Sequence, residues 1–328
     1  MSGAPRPEGG VGADLGVRLR ERDVSAAPAV LNLLESTSPA DREQATALLA
    51  ALSPSALQGE DPGHIVGVTG PPGAGKSTLL SALLSAWRTQ QRSVAILAVD
   101  PSSRRSGGSL LGDRARIEFD PADRGVFIRS TAAGERLGGL AWGTRAAAQA
   151  LAVAFDVVVI ETVGVGQAET DVADVADTVV VVVQPAGGDI LQFLKAGIME
   201  TPDVLVVTKA DLGPLALRTQ RELNAALRSL KGSGERFPRV LAVSSLSPPQ
   251  GLDQLTSALQ EHRDSLELGE RRLRARRAGA LLDFVEEHGQ HGLRAIGGRQ
   301  AAKRWLGEQD PSLDIPALVR GLQERMST

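Results

Sequence analysis

Three glycines, a lysine and a hydroxyl stand at fixed intervals in Gly70-Pro-Pro-Gly-Ala-Gly-Lys-Ser-Thr78. The run fits G-x-x-x-x-G-K-[ST], a loop whose backbone N–H groups surround phosphate oxygens while the lysine neutralises them. Gly70, Gly73 and Gly75 let the backbone approach an anion with no Cβ in the way. Ala74 and Thr78 complete the loop. Lys76 is expected to reach the β- and γ-phosphates of a nucleoside triphosphate, and the Ser77 hydroxyl to ligate Mg²⁺.

Carboxylates follow where phosphate chemistry needs them. Glu161 comes directly after the apolar run Asp156-Val-Val-Val-Ile160, a position suited to the metal side of a hydrolytic site. Gly164, three residues on, offers an N–H to the γ-phosphate. Asp100 and Asp113 lie after another apolar run and could hold Mg²⁺ through water or orient the attacking water. Farther along, Thr208-Lys-Ala-Asp211 stands where a guanine-reading N-K-x-D is expected. Asp211 can accept hydrogen bonds from the ring N–H and exocyclic amine of guanine, which adenine cannot supply. The Lys209 stem can pack over the base, and Thr208 offers a hydroxyl in place of an amide. Ser244, at the end of the last apolar run, joins the nucleotide-binding set.

These residues need a frame that brings loops together. Seven short, Val-rich runs read as buried parallel strands: 64–69, 93–99, 126–129, 156–160, 177–184, 203–207 and 239–243. Helical periods separate most of them, so the expected fold is α/β, a doubly wound and mostly parallel sheet. The candidate residues fall just past the carboxyl ends of strands, where open α/β sheets bind ligands. Leu79, Leu80, Leu83, Leu84 and Trp87 mark the helix that must follow the phosphate loop. Residues 1–62 read as a disordered tail (1–16, rich in Gly, Pro and Ala) and a helical cap, 63–265 as the nucleotide domain, and 266–328 as a helical arm. Ile315, Leu318, Val319, Leu322 and Met326 share one helical face, which predicts a homodimer through that arm.

Composition narrows the function. The 328 residues carry a net charge of −3, 42% hydrophobic residues, six Phe, three Trp, no Tyr and no Cys. A core of Val, Leu, Ile and Ala is implied, with no disulfide, thiolate metal site or redox centre. No signal peptide and no apolar run of membrane-spanning length is evident, so a cytoplasmic protein without membrane or nucleic-acid partners is expected. The basic run Arg271, Arg272, Arg274, Arg276 and Arg277 lacks interleaved aromatics and reads as a solvated or interface helix face.

At this point several longer runs match a known family. Gly67-Val-Thr-Gly-Pro-Pro-Gly-Ala-Gly-Lys-Ser77 and Val99-Asp-Pro-Ser-Ser103 resemble the MeaB/MMAA family of GTPases, also called ArgK. Ser106-Gly-Gly-Ser-Leu-Leu-Gly-Asp-Arg114, Leu137-Gly-Gly-Leu140 and Glu161-Thr-Val-Gly-Val-Gly-Gln167 extend the likeness. The resemblance implies a GTP hydrolase that serves as a G-protein chaperone of an adenosylcobalamin-dependent acyl-CoA mutase, chiefly methylmalonyl-CoA mutase. Such a protein gates cofactor loading and protects or reactivates the mutase. Residue by residue, it implies that Lys76 and Ser77 hold phosphate and Mg²⁺, that Asp100, Asp113 and Glu161 are the metal and catalytic acids, and that Asp211 reads the base. Asp189, Gln192 and Lys195 match a third switch, with Lys195 helping to complete catalysis. The chain departs from the family at Thr208 (usually Asn) and Ser245 (usually Ala). Two alternatives stand beside this reading: a nickel-delivery GTPase of the UreG or HypB kind, which would use Cys and His ligands, and a small-molecule kinase.

Overall fold

The computed structural model describes residues 10–100, 117–132, 140–162, 168–185, 202–230 and 237–326. In chain order the elements are α1 (Gly10–Arg20), α2 (Ala27–Glu35), α3 (Pro39–Ala51), α4 (Pro54–Leu57), β1 (His64–Thr69), α5 (Lys76–Thr89) and β2 (Val94–Asp100). There follow β3 (Val126–Ala132), α6 (Trp142–Ala154), β4 (Val157–Glu161), α7 (Ala168–Val175), β5 (Thr178–Val183), β6 (Val204–Val207) and α8 (Pro214–Leu230). The chain ends with β7 (Arg239–Ala242), α9 (Leu252–Asp264), α10 (Leu268–Ala295), α11 (Gly298–Gly307) and α12 (Ile315–Met326). Contacts divide it into two units: His64–Ala141 with Asp156–Leu266, and Met1–Gly63 with Trp142–Phe155 and Glu267–Thr328.

The first unit holds the sheet. Its seven strands lie in the order β3-β2-β4-β1-β5-β6-β7, and every pairing is parallel. All residues of β1, β4, β5 and β6 are buried, which explains why these runs are continuously apolar rather than alternating. One core joins Val66, Val68, Val159 and Val182 of the strands to Leu79, Leu83 and Trp87 of α5 and to Leu255 and Leu259 of α9. Each such side chain contributes about 1.5–3 kcal/mol of burial. β1 sits at the centre, with β2 to β4 on one side and β5 to β7 on the other, so the loop after β1 opens at the switch point of the sheet. At the opposite edge a polar chain ties strands to α9. His64 Nε2 meets Thr178 Oγ1 at 2.8 Å, which meets His262 Nδ1 at 2.8 Å, and His262 Nε2 lies 3.2 Å from Asp203.

The second unit is helical and corrects three expectations. Residues 10–16 belong to a helix rather than a disordered tail. Leu15 and Leu19 are buried, and the glycines that suggested flexibility are a contact face. A Cβ at Gly12 would stand 1.9 Å from the Gln44 carbonyl oxygen, and one at Gly16 would stand 2.6 Å from Ala51 Cβ, both on α3. Small residues here let two helix backbones come close. Second, the α12 face is already covered. Ile315, Leu318 and Leu322 are buried in a cluster with Leu281 and Phe284 of α10 and Leu306 of α11. The apolar residues of this face thus need no second copy to cover them. Third, the basic run is partly interior. Arg272 pairs with Asp61 and donates to the Gly63 carbonyl at 2.7 Å, while Arg276 makes a two-pronged bond to Glu60 at 2.8 and 3.0 Å. These two arginines serve the fold of their own chain and not a solvated face.

α6 falls inside the expected 63–265 span in sequence, yet its contacts group it with the terminal helices. Arg145 of α6 donates to Asp283 at 2.5 Å and to Glu286 at 2.9 Å, both on α10. Among the described residues, no helix is long and apolar enough to cross a membrane.

Candidate functional site

The sheet unit alone carries the candidate site, at the carboxyl edge of its strands. Gly70 leaves β1 with φ +143°, and a Cβ there would meet the Val182 carbonyl oxygen at 2.1 Å. No other residue fits between the loop and β5. Gly75 caps α5 in the left-handed region with φ +88° and makes no side-chain cap. The first N–H groups of α5 are thus left to an anion, with the positive end of the helix dipole behind them. Lys76 opens that helix and is buried. Its Nζ donates to the Gly70 carbonyl at 2.6 Å and to the Pro71 carbonyl at 3.1 Å, so the loop holds its own ammonium in place.

The metal side is assembled from two strands and the helix. Glu161 ends β4, registered against Val68 of β1 and Ala98 of β2, and is buried. Its Oε1 accepts a hydrogen bond from Ser77 Oγ at 2.9 Å. A hydroxyl and a carboxylate oxygen this close form a hard-oxygen donor pair that suits Mg²⁺. Among the described residues no group of three His, Cys, Asp or Glu could hold a metal. Asp100 is the last residue of β2, two positions past the level of Glu161 on the same edge. Asp113, Gly164 and Lys195 lie outside the described residues, as do Asp189 and Gln192.

Several hydroxyls on that edge were not singled out by sequence. Thr69 ends β1, Ser130 and Thr131 lie near the end of β3, and Thr162 follows β4. Among the described residues, their buried side-chain oxygens have no hydrogen-bond partner. Buried hydroxyls are normally satisfied, and this concentration at one edge is what a bound polar ligand and its waters would complete. Their common signal is placement: each ends a buried apolar run.

The base side is built from the loops after β6 and β7. Lys209 takes the left-handed conformation, φ 54°, and its Nζ donates to Gln184 Oε1 at 3.0 Å. Gln184 directly follows β5 and was missed for lack of a motif. Asp211 is exposed, and its Oδ1 accepts a hydrogen bond from Ser244 Oγ at 2.8 Å, which fixes the carboxylate while leaving its other oxygen open. Ser244 is itself positioned by paired backbone bonds with Gln250. Thr208 differs from its expected role. Its hydroxyl is buried and contacts the Ala74 carbonyl at 2.7 Å and the Val183 carbonyl at 3.0 Å, so it joins the base loop to the phosphate loop.

The structure therefore brings Gly70, Gly73, Ala74, Gly75, Lys76, Ser77 and Thr78 together with Glu161, and links them through Thr208 to Lys209, Asp211 and Ser244. A glycine loop opening a helix, a hydroxyl–carboxylate oxygen pair and an exposed carboxylate in this order suit a nucleoside triphosphate.

A family model described as methylmalonyl Co-A mutase-associated GTPase MeaB matches residues 27–294. A protein of Mycobacterium bovis named "Probable GTPase" is 40% identical over 275 residues, covering 83% of this chain and 80% of its own. The mouse methylmalonic aciduria type A homolog, named as mitochondrial, is 39% identical over 245 residues, covering 70% of this chain and 58% of its own. Among solved structures, one titled LAO/AO transport system kinase superposes with TM-score 0.66 and 27% identity, covering 99% of this chain and 100% of its own.

Proposed function

This chain belongs to the MeaB family of GTPases, and from that membership we propose that it couples GTP hydrolysis to the care of an adenosylcobalamin-dependent acyl-CoA mutase, with methylmalonyl-CoA mutase as the client. The observation that carries the reading is the Ser77–Glu161 oxygen pair beside Lys76 in a chain of this family.

In this reading GTP phosphates replace the loop carbonyls as partners of Lys76, and the open N–H groups of α5 bind the β-phosphate. Ser77 and Glu161 would hold Mg²⁺, with Asp100 and Asp113 as further acids; the ion neutralises charge on the phosphate oxygens. Gly164 contributes an N–H to the γ-phosphate. Asp211 accepts from the guanine N–H groups, Lys209 covers the base and Ser244 keeps Asp211 aimed. Cofactor gating and mutase protection are the roles that hydrolysis would drive, with the segment holding Asp189, Gln192 and Lys195 as the switch. The nickel-delivery alternative lacks any cysteine to supply thiolate. A homodimer is kept in this reading through surfaces other than the α12 face.

The test is GTP turnover with and without an adenosylcobalamin-dependent acyl-CoA mutase. Intrinsic turnover on the order of 10⁻⁴ to 10⁻² per second should rise when the mutase docks. Lys76→Ala should remove both rates. Lys195→Ala should spare the intrinsic rate and remove the acceleration. No physical association with the mutase and no change in rate would sink the chaperone reading while leaving the GTPase intact.

A further inference from the structure

The Thr208 hydroxyl has one hydrogen and two carbonyl acceptors already within reach, Ala74 at 2.7 Å and Val183 at 3.0 Å. A carbonyl oxygen can only accept, so that hydrogen is committed to the protein whichever of the two takes it. What remains at Thr208 are lone pairs. The second hydroxyl on the base side is committed as well. Ser244 Oγ donates to Asp211 Oδ1 at 2.8 Å, and it accepts from the Leu246 N–H at 3.3 Å, which fixes the direction of its own hydrogen.

Guanine presents two kinds of edge to such a site. Its N1–H and N2 amine are donors, which a carboxylate can accept; its N7 and O6 are acceptors, which need a donor. A side-chain amide at position 208 could offer N–H to N7. Threonine here cannot, because its only hydrogen is held by the Ala74 or the Val183 carbonyl, and a lone pair of Thr208 facing N7 would repel it.

We infer that this chain reads guanine through Asp211 on the N1 and N2 edge and makes no hydrogen bond to N7, Thr208 having exchanged base recognition for a tie between the base loop and the Ala74 carbonyl. The inference rests on the guanine-nucleotide reading above and specifies which atoms of the base are recognised. Nucleotides altered at N7 are then substrates and ligands as good as the natural one. Those altered at the N1 and N2 edge are not.

Equilibrium binding to the full chain in the presence of Mg²⁺ tests this with four probes: GDP, 7-deaza-GDP, IDP and ADP. 7-Deaza-GDP, in which a C–H replaces N7, should bind within about two-fold of GDP. IDP, which lacks the N2 amine, should bind about five- to ten-fold more weakly, the equivalent of one hydrogen bond. ADP should be weaker still, since its N1 is an acceptor facing Asp211. The variant Thr208→Asn supplies an amide donor and should make 7-deaza-GDP about three- to ten-fold weaker than GDP. The wild-type comparison stands without the variant should Thr208→Asn fail to fold. A loss of five-fold or more for 7-deaza-GDP on the wild-type chain overturns the inference and leaves guanine recognition by Asp211 in place. Equal binding of ADP and GDP overturns both.

Discussion

Asp283 gives the helical unit a stability that should fall as pH rises through the mildly acidic range. The carboxyl of this α10 residue is buried beside Arg145 of α6, and Glu286 lies on the same guanidinium. Burial raises its pKa from 3.8 to about 6, against the pull of the Arg145 charge and with a further push from Glu286. A raised carboxyl pKa means that the folded state holds the proton more tightly than the unfolded chain. Its contribution is therefore complete below about pH 4 and is lost as pH climbs through about 6. About two pH units at about 1.4 kcal/mol each give a ceiling of about 3 kcal/mol. Asp23 and Asp123 run the other way. Hydrogen bonds from Ser25 to the first and from Arg88 to the second lower their pKa values, so what they contribute is present above about pH 4 and lost below it. Between about pH 4 and pH 6 the Asp283 contribution therefore falls, while those of Asp23 and Asp123 are already in place. Urea denaturation followed by the fluorescence of Trp142 and Trp305, both in this unit, should lose stability across that interval in the wild-type chain. Asp283→Asn should flatten the loss, whatever its absolute stability, because the amide cannot ionise. Parallel curves for the two proteins would refute the assignment, and so would wild-type stability that rises over the same interval.

Other expectations follow from single contacts. Gly70→Ala should weaken GDP binding by about 100-fold or more, because its Cβ would stand 2.1 Å from the Val182 carbonyl oxygen; near-normal affinity in a folded variant would mean that the loop is not held as described. Arg272→Met should cost about 3–5 kcal/mol by stranding the buried Asp61 carboxylate, and Arg272→Met with Asp61→Leu should recover much of it. Additive losses in that denaturation cycle would show that the pair is not coupled. Ser77→Ala should remove the dependence of nucleotide affinity on Mg²⁺ and most GTP turnover, since one of the two converging oxygens is gone. Titrating Mg²⁺ against bound nucleotide reads this directly, and an unaltered Mg²⁺ requirement would place the ion elsewhere.

The sheet and the phosphate loop were legible in sequence because their signals are local. A buried parallel strand must be apolar on both faces, so Val157–Glu161 and Thr178–Val183 announce themselves as runs. The loop from Gly70 to Thr78 has a backbone path that few residue types allow, so its motif carries its geometry. The same holds for Glu161 and Asp211, whose positions follow from strand ends. Other features depend on partners distant in the chain. Gly12 and Gly16 suggested a flexible tail, and only the proximity of α3 turns them into a close helix contact. The apolar face of α12 could as well have met a second copy; Leu281 and Phe284 of its own chain cover it. Arg272 and Arg276 looked like a surface run until Asp61 and Glu60, some two hundred residues earlier, were brought to them. Thr208 makes the same point within the site. Its sequence position marks it as a base reader, but a hydroxyl has one hydrogen to give, and the tertiary structure surrounds it with the carbonyls of Ala74 and Val183.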